Sequence, residues 1–475
     1  MSSTESVSKK SGHPKSFWLI CMTILWERFS YYGLTALLVL FFTASVAQGG
    51  LGLSTQEATS MFGLFTGLIY LTPLVGGWLA DKVLGQQKCI SIGALLIAIG
   101  DFVLFASSTS IAMVWVGLSI IILGNGFFKS SCSNIVGDIY PKTDVSRKDA
   151  AYSLFYMAVN VGAFIAPIIC GLLSDNVFAV RGASGDIVSY GYKMAFLICG
   201  IGMMLGMIIF TLLAPKLLNE VGKYPVTKGN KGEKIEYGPL TKLEKNRIIA
   251  MVILFLFVVL FWTAYYQTQS SFMIYVRDNV NRTLFGFEMP VAWLTSLNAI
   301  LCVALCPVLA TLWVKLSHTK RGDFSIPVKM GLGMIIMGVG FIVMVFATLA
   351  NGPDGMVKAS ILFIVLTYIF TTVGELFLSP IGLAMFNKLA PAKYATLSMG
   401  AWYLTSFFAS LLSGKIAGFT ATLGFLQIFG GIATVLIIFG LIFLVYMISS
   451  NKFKQKVNSE IEQIKSDDFE FELDW

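Results

Sequence analysis

Apolar runs of about 20 residues recur along nearly the whole chain, and no other feature limits its fold as strictly. A run of that length crosses a hydrocarbon core of about 30 Å as an α-helix. The alternating segments of about ten residues that are typical of transmembrane barrels are not seen, so the spans are predicted to be helices. Only 13% of the residues are charged, against about 25% in soluble domains. We therefore predict an all-α integral membrane protein.

We expect twelve transmembrane helices, and an even number places both chain ends on the same side of the membrane. The predicted spans are residues 17–46, 61–80, 90–108, 112–136, 151–173, 190–213, 248–276, 291–315, 328–349, 360–389, 397–417 and 425–448.

Lysine and arginine concentrate on one side of these spans. That side holds Lys9, Lys10, Lys15, Lys82, Lys88, Lys142, Arg147, Lys148, a cluster between residues 216 and 247, Lys320, Arg321, Lys388, Lys393 and the lysines of the C-terminal tail. The opposite loops hold little more than Arg181, Lys193, Arg277, Arg282 and Lys358. Since basic residues accumulate on the cytoplasmic side, both the N- and C-termini are predicted to be cytoplasmic.

The longest polar stretch, residues 218–247, divides the chain into two halves of six predicted helices. Two six-helix bundles joined by a basic cytoplasmic linker are the layout of the major facilitator fold, in which substrate binds near the membrane midplane between the halves. We expect a cytoplasmic N-terminus at 1–16, bundles at 17–217 and 248–449, the linker at 218–247 and a cytoplasmic tail at 450–475. The segment GGWLADK supports this fold, because the superfamily carries a Gly-x-x-x-Asp-Arg/Lys signature in the loop after span two. Close helix packing is the alternative reason for its glycines.

Ionisable groups inside a span are the best indication of function, because each costs at least ~2.5 to 3.5 kcal/mol at the bilayer centre. In span one, Glu27, Arg28, Tyr31, Tyr32 and Thr35 fall within an arc of about 140° when each residue turns the helix by about 100°. Such a polar face suits the wall of a cavity. The alternative is that Glu27 and Arg28 merely neutralise each other, although adjacent side chains diverge by about 100° and are expected to pair poorly.

Three further charged residues lie inside predicted spans. Lys129 in span four lies too deep to reach the surface easily, so it needs an acidic partner, and Glu27 is the obvious candidate. Glu375 in span ten has no basic neighbour on its own helix, so we expect it to face water or a cationic substrate group; a basic partner elsewhere in its half is the alternative. Asp101 in span three is expected in a minor polar pocket or near the outer interface.

Cations in the first half and an acid in the second predict a zwitterionic substrate. Its α-carboxylate would bind Arg28 and Lys129 and its α-amine would bind Glu375, through charge-assisted hydrogen bonds. Candidates for apolar walls are Tyr70, Tyr156, Trp262 and Trp402, although most membrane aromatics pack in the core or lie at the membrane interface.

Six segments of the chain together resemble one known family. They are WERFSYYG (26–33), YLTPLVGGWLADKVLG (70–85), GNGFFK (124–129), FYMAVNVGAFIAP (155–167), SLN (296–298) and GELFLSPIGLAMFNKLAP (374–391). In this order they resemble the proton-dependent oligopeptide transporters of the major facilitator superfamily. The resemblance implies a secondary active transporter that takes up di- and tripeptides with protons by alternating access, with the peptide bound at the midplane between the two bundles.

The resemblance also implies residue roles. Glu27, Arg28 and Lys129 correspond to the family's proton-coupling cluster, and its peptide contacts correspond to Tyr31, Tyr32, Tyr70, Asn160, Asn298 and Glu375. With the residues chosen above, the candidate substrate contacts are Arg28, Tyr31, Tyr32, Tyr70, Lys129, Asn160, Trp262, Asn298, Glu375 and Trp402. Ile24 and Tyr266 stand where the family often has acids, and Thr35 where some relatives have an arginine. These changes affect the expected proton coupling more than the expected peptide recognition. The alternative is therefore a facilitator, which transports its substrate without protons.

The expected partners are a di- or tripeptide, protons and the lipid bilayer, with no nucleic acid, cofactor or metal. We expect a multi-pass monomer of the bacterial cytoplasmic (inner) membrane. The alternative substrates in the same fold are a peptidomimetic, a drug, an amine or nitrate. A membrane-embedded enzyme is the rival from another class, but no span holds a histidine, and no Ser–His or metal-ligand pattern occurs. The seven cysteines, such as Cys302, are expected to be small apolar fillers.

Overall fold

The computed structural model describes residues 12–449 except 108, 142, 184, 226–240, 320–323, 325, 353–356 and 390–394. Residues 1–11, most of the predicted linker and the predicted tail from residue 450 therefore lie outside the described residues. The same holds for several cations on which the predicted orientation rests, namely Lys9, Lys10, Lys142, Lys320, Arg321 and Lys393.

Long helices make up most of the described chain. In order the helices are α1 (Lys15–Thr43), α2 (Thr55–Leu79), α3 (Gln86–Ala106), α4 (Ile111–Asp138), α5 (Val145–Leu172), α6 (Tyr192–Leu217), α7 (Lys242–Tyr265), α8 (Ser271–Asn279), α9 (Trp293–Ser317), α10 (Ile326–Ala350), α11 (Ile361–Leu389), α12 (Ala395–Gly418), α13 (Thr420–Leu423) and α14 (Phe425–Ser449). Within the described residues, eleven spans are long and apolar enough to cross a membrane, one of them formed by α7 and α8 together. With α12, this is the predicted set of twelve.

Three helices begin well before the apolar run that predicted them. α2, α5 and α7 start at residues 55, 145 and 242 rather than at 61, 151 and 248. In each case a capping side chain precedes the helix: Ser54, Asp144 and Thr241 accept hydrogen bonds from backbone N–H groups of the first turn. A cap satisfies donors that the helix leaves unpaired, so a polar first turn is stable outside the apolar run.

The seventh predicted span is not one continuous helix, which corrects the prediction. α7 ends at Tyr265, a 3-10 turn covers Tyr266–Gln269, and α8 starts at Ser271. Polar side chains in this segment bond to nearby groups: Thr268 Oγ1 donates to the carbonyl oxygen of Tyr265 at 2.7 Å, and Ser271 Oγ donates to Gln267 Oε1 at 2.6 Å. Such bonds compete with the regular helical pattern.

Helix contacts fall mainly within the two halves of the chain. In the first half α1 packs on α5 and α6, α3 on α4 and α6, and α2 on α4; in the second half α10 packs on α11 and α14, and α11 on α7 and α9. Two extensive contacts join the halves, α2 with α12 and α5 with α9. The domain limits expected at residues 217 and 248 stay a prediction.

Short strands occur between the helices. They are β1 (Val180–Arg181), β2 (Ile187–Ser189), β3 (Val280–Asn281), β4 (Thr283–Leu284), β5 (Phe287–Glu288) and β6 (Ala359–Ser360). β1 with β2 and β4 with β5 form antiparallel pairs, whereas β3 and β6 pair in parallel. The last pair links the segment after α8 with the segment before α11.

The GGWLADK segment lies mainly in helix rather than in a loop, which corrects the sequence interpretation. Gly76 and Gly77 belong to α2, and Ala80–Leu84 forms a π-helical turn. A Cβ atom on Gly76 would lie 1.9 Å from the carbonyl oxygen of Gly126 on α4. This glycine therefore permits close contact of two helix backbones, which was the alternative explanation.

Candidate functional site

Seven of the ten predicted substrate contacts line one cavity between the two halves. They are Tyr31, Tyr32, Tyr70, Asn160, Trp262, Asn298 and Glu375. These residues lie on α1, α2, α5, α7, α9 and α11, so both halves supply walls. The sequence thus predicted side chains that the fold brings together from positions up to several hundred residues apart.

Glu375 is held at the cavity wall by a neighbour from α9. Asn298 Nδ2 donates to Glu375 Oε2 at 3.0 Å and to Thr372 Oγ1 at 3.1 Å. Cys302 Sγ, one turn further along α9, donates to the same carboxylate oxygen at 3.8 Å. Within the described residues Glu375 forms no ion pair with a basic side chain, and its expected role toward a cationic group of the substrate stays a prediction.

Glu27 and Arg28 form an ion pair, contrary to the expectation that adjacent residues pair poorly. Arg28 Nε lies 2.7 Å from Glu27 Oε2, and Glu27 is completely buried. Arg28 Nε and Glu27 Oε2 form no hydrogen bond, so their contact is an ion pair alone. Both side chains are long enough to curve back toward each other. Asn125 of α4 adds a hydrogen bond at 3.2 Å from Nδ2 to Glu27 Oε1.

Lys129 is not ion-paired with Glu27 in the described part of the chain, which corrects the predicted partnership. Its Nζ lies 4.0 Å from the ring centroid of Tyr70, a cation–π contact. Lys129, Arg28 and Glu27 are still close enough to interact electrostatically. The ammonium group is thus placed on the aromatic wall of the cavity rather than on the carboxylate.

An aromatic column continues from Lys129 into the second half. The rings of Tyr70 and Tyr266 lie 6.1 Å apart between centroids with an interplanar angle of 36°, and Tyr266 stacks on Trp262 at 5.7 Å and 26°. Tyr265 meets Trp262 edge-on at 5.0 Å. Offset and edge-on geometries of this kind are favourable for aromatic pairs.

Three predicted contacts are not among the described residues that line the cavity. Arg28 lies behind the wall, with its guanidinium carbon 5.5 Å from the ring centroid of Tyr31, and Lys129 lies behind Tyr70. Trp402 packs against Gly382 of α11. The two cations are therefore one aromatic side chain away from the cavity.

Several lining residues were not selected from the sequence, among them Thr295, Cys302, Tyr265, Gln269 and Tyr368. Helical spacing was the available signal for two of them, because Thr295 and Cys302 share the face of Asn298 on α9. Cys302 therefore departs from the expected filler role. Tyr265 follows Trp262 by three residues, at the point where α7 ends.

Asp101 lies inside the helix bundle of the first half, and its expected position near the outer interface stays a prediction. It is completely buried, and its Oδ2 accepts a hydrogen bond of 2.6 Å from Ser30 Oγ on α1. Its Oδ1 has no hydrogen-bond partner among the described residues. Asp101 thus joins α3 to α1 away from the cavity.

Comparison with known proteins identifies the family. The family model described as the POT family matches residues 87–217 and 240–429. The chain belongs to the POT family. The transporter called Uncharacterized transporter YclF, from Bacillus subtilis (strain 168), is 32% identical over 92% of this chain and 94% of that protein. The protein called Peptide transporter YePEPT, from Yersinia enterocolitica subsp. palearctica serotype O:3 (strain YE-P4), is 31% identical over 86% of this chain and 88% of that protein.

Solved structures of POT family transporters have the same fold. A crystal structure of the peptide transporter POT in complex with sulfate superposes with a TM-score of 0.83, at 29% identity over 92% of this chain and 95% of that chain. A POT family transporter in complex with 5-aminolevulinic acid gives a TM-score of 0.80 at 28% identity, over 92% and 97% of the two chains. The architecture is therefore the major facilitator fold, and the membrane-embedded enzyme is excluded because these family members are transporters.

Proposed function

We propose that the chain is a secondary active transporter that takes up di- and tripeptides together with protons. The observation that carries this proposal is the charge layout of the cavity, with Glu375 in the wall from the second half and two cations behind the wall from the first. Tyr32 interacts electrostatically with both Arg28 and Glu375, so one residue of the cavity wall lies near both charged regions. A short peptide carries an amine at one end and a carboxylate at the other, which suits this charge layout. The relatives named as peptide transporters support the same substrate class.

Peptide binding would use opposite charges at its two ends. The α-amine binds Glu375, whose Oε2 is held by Asn298 and Cys302. The α-carboxylate binds Arg28 and Lys129 once the aromatic rings of Tyr31 and Tyr70 give way. Alternating access then follows from movement of the two bundles around the bound peptide.

Proton coupling would rest on the cluster around Glu27. Arg28 neutralises this buried carboxylate, and Lys129 is nearby. A peptide carboxylate that attracts both cations leaves Glu27 less well compensated, and a proton then replaces the missing charge. Because such linkage is reciprocal, the proton and the peptide favour each other's binding.

The remaining features belong to the same proposal. Both termini face the cytoplasm, the bundles comprise residues 17–217 and 248–449, and the protein is a monomer in the bacterial cytoplasmic (inner) membrane. The charge distribution of the loops supports the orientation, and the bacterial sources of the relatives support the location.

Uptake into proteoliposomes under an imposed inward proton gradient tests the proposal. Labelled dipeptide should accumulate above equilibrium only with the gradient, and unlabelled di- and tripeptides should compete while single amino acids and nitrate do not. Uptake that ignores the gradient would indicate a facilitator. Competition by an amine, a drug or nitrate without competition by peptides would instead favour another solute.

A further inference from the structure

The cavity is poor in charge and rich in aromatic surface. Of the described residues that line it, Glu375 is the one whose side chain carries a full charge at neutral pH, and eight lining residues are aromatic. Seven of these are tyrosines, and the eighth is Trp262. The cavity therefore offers one charge, many ring faces and several hydroxyl groups to whatever it binds.

Each charge near the cavity already has a role in the proposed function. Glu375 is the group for the peptide amine. Arg28 is paired with Glu27 at 2.7 Å, and Lys129 lies on the ring of Tyr70 at 4.0 Å, so both cations lie behind the wall. The α-amine and the α-carboxylate of the peptide would use these groups. A charged peptide side chain would then find no further opposite charge among the described residues that line the cavity. A charged group taken from water without a partner is strongly disfavoured.

Tyr266 is the centre of the aromatic wall. It is buried, and its ring lies between Tyr70 of the first half and Trp262 of the second. Tyr265 also packs against Tyr266, edge-on at 5.9 Å. A substrate ring placed on this wall would extend an existing stack instead of requiring a new one, and such aromatic contacts add about 0.5–1.5 kcal/mol beyond the burial of apolar area.

We propose that this cavity selects peptides with uncharged side chains, aromatic ones above all, and that Tyr266 is a specificity-determining residue. The inference rests on the proposed function and adds the chemical class of the side chain. Peptides with lysine or arginine side chains are disfavoured because a second cation competes for Glu375. Peptides with aspartate or glutamate side chains are disfavoured because the lining residues offer their carboxylate no cation.

Competition among dipeptides of one length tests the selectivity in the full-length protein in proteoliposomes. Labelled Ala-Ala is the transported substrate, and unlabelled Ala-Phe, Ala-Lys and Ala-Glu are the competitors. We expect Ala-Phe to compete at a concentration at least about tenfold lower than Ala-Lys or Ala-Glu. The proposal would be overturned if Ala-Lys or Ala-Glu competed at a concentration within about threefold of that of Ala-Phe. If Ala-Ala itself is not transported, the proposed function fails, and not the selectivity alone.

Two substitutions of Tyr266 test its role. Tyr266→Phe keeps the ring and should preserve the preference for Ala-Phe over Ala-Ala. Tyr266→Ala removes the ring, and the preference for Ala-Phe over Ala-Ala, measured as the ratio of the concentrations at which each unlabelled dipeptide competes, should fall by about tenfold. An unchanged ratio in Tyr266→Ala would remove Tyr266 from substrate selection. If Tyr266→Ala does not fold, loss of the preference in Tyr266→Leu, which keeps apolar bulk without a ring, decides the question in the same way.

Discussion

Asn298 donates to Glu375 Oε2 over 3.0 Å, and this bond joins α9 to α11 at the wall of the cavity. Two residues earlier on α9, Ser296 Oγ donates to the carbonyl oxygen of Phe164 on α5 at 2.7 Å. The helix that orients the carboxylate is therefore also one of the helices that join the two halves. A movement of α5 against α9 would therefore act on α9 less than one helical turn away from Asn298, which holds the carboxylate of the candidate amine site.

Glu375→Gln should weaken the binding of free dipeptides far more than the binding of N-blocked analogues. The amide keeps an oxygen that can accept from Asn298 but lacks the charge that an α-amine needs. Loss of a charged partner in a desolvated site is expected to cost about 2–5 kcal/mol. Binding of both ligand types is measured by competition, and an equal loss for the two would reject this role of Glu375.

Lys129→Ala should abolish accumulation driven by a pH gradient. The ammonium group is expected to serve the peptide carboxylate, and its removal also leaves Glu27 with one cation fewer nearby. Lys415→Ala is the matched control, because Lys415 is an exposed lysine on α12. Uptake of labelled dipeptide under an inward proton gradient is compared for the two variants. Retained accumulation in Lys129→Ala would remove Lys129 from the mechanism.

Hydropathy predicted the number of spans, and helical periodicity predicted the polar face of α1 that carries Tyr31 and Tyr32. Intramembrane polar groups avoid lipid, which is why Tyr31 and Glu375 could be selected from their positions inside the spans. Asn160 and Asn298, in contrast, were expected at the site only because of the resemblance to a known family. The starts of α2, α5 and α7 were predicted several residues too late, because they depend on capping side chains that lie outside the apolar runs.

Pairing of side chains could not be predicted from helical geometry. Glu27 and Arg28 diverge at Cβ, yet their charged groups meet at 2.7 Å. Lys129 lies on Tyr70 rather than on Glu27, because the choice between a ring face and a carboxylate depends on packing among three helices. The break at Tyr266 depends in the same way on local side-chain hydrogen bonds, which spacing does not reveal.

Gly76→Ala should destabilise the protein, whereas the neighbouring Gly77→Ala should not. A Cβ on Gly76 would lie 1.9 Å from the carbonyl oxygen of Gly126, and backbone atoms of two packed helices move little. Overpacking of this kind costs about 1–3 kcal/mol or more. A Cβ on Gly77 meets Ser130 at 3.4 Å, which is an ordinary contact. Thermal unfolding in detergent compares the variants, and equal melting temperatures would contradict the packing role of Gly76.

Ser30→Ala should lower the stability of the first half more than Ser131→Ala does. The hydroxyl of Ser30 donates to buried Asp101, whose other oxygen has no hydrogen-bond partner among the described residues. Its removal leaves a buried polar group unsatisfied, at a cost of about 1–3 kcal/mol. Ser131 is equally buried but donates to the carbonyl oxygen of Phe127 on its own helix at 2.9 Å. Similar unfolding temperatures for the two variants would show that Asp101 does not depend on Ser30.

Glu27→Gln should separate peptide exchange from proton-driven uptake. Glutamine keeps an oxygen for Asn125 and the shape of the side chain, but it cannot exchange a proton or neutralise Arg28. Since Ile24 and Tyr266 stand where the family often has acids, Glu27 is the carboxylate of α1 on which coupling would depend. The variant should therefore exchange peptide across the membrane without a gradient, yet fail to concentrate it under an inward proton gradient. Glu220→Gln, a change at an exposed residue, is the control.

Counterflow and gradient-driven uptake are measured on one reconstituted preparation, with the unaltered chain alongside. Loss of both activities in Glu27→Gln would mean that the carboxylate supports binding or folding and not coupling alone. Concentration of peptide to the level of the unaltered chain would place the proton site elsewhere, with Glu375 in the cavity wall and the buried Asp101 as the next acids to test. If the unaltered chain itself ignores the proton gradient, peptide and proton are not linked through Glu27, and transport is facilitated diffusion down the peptide gradient.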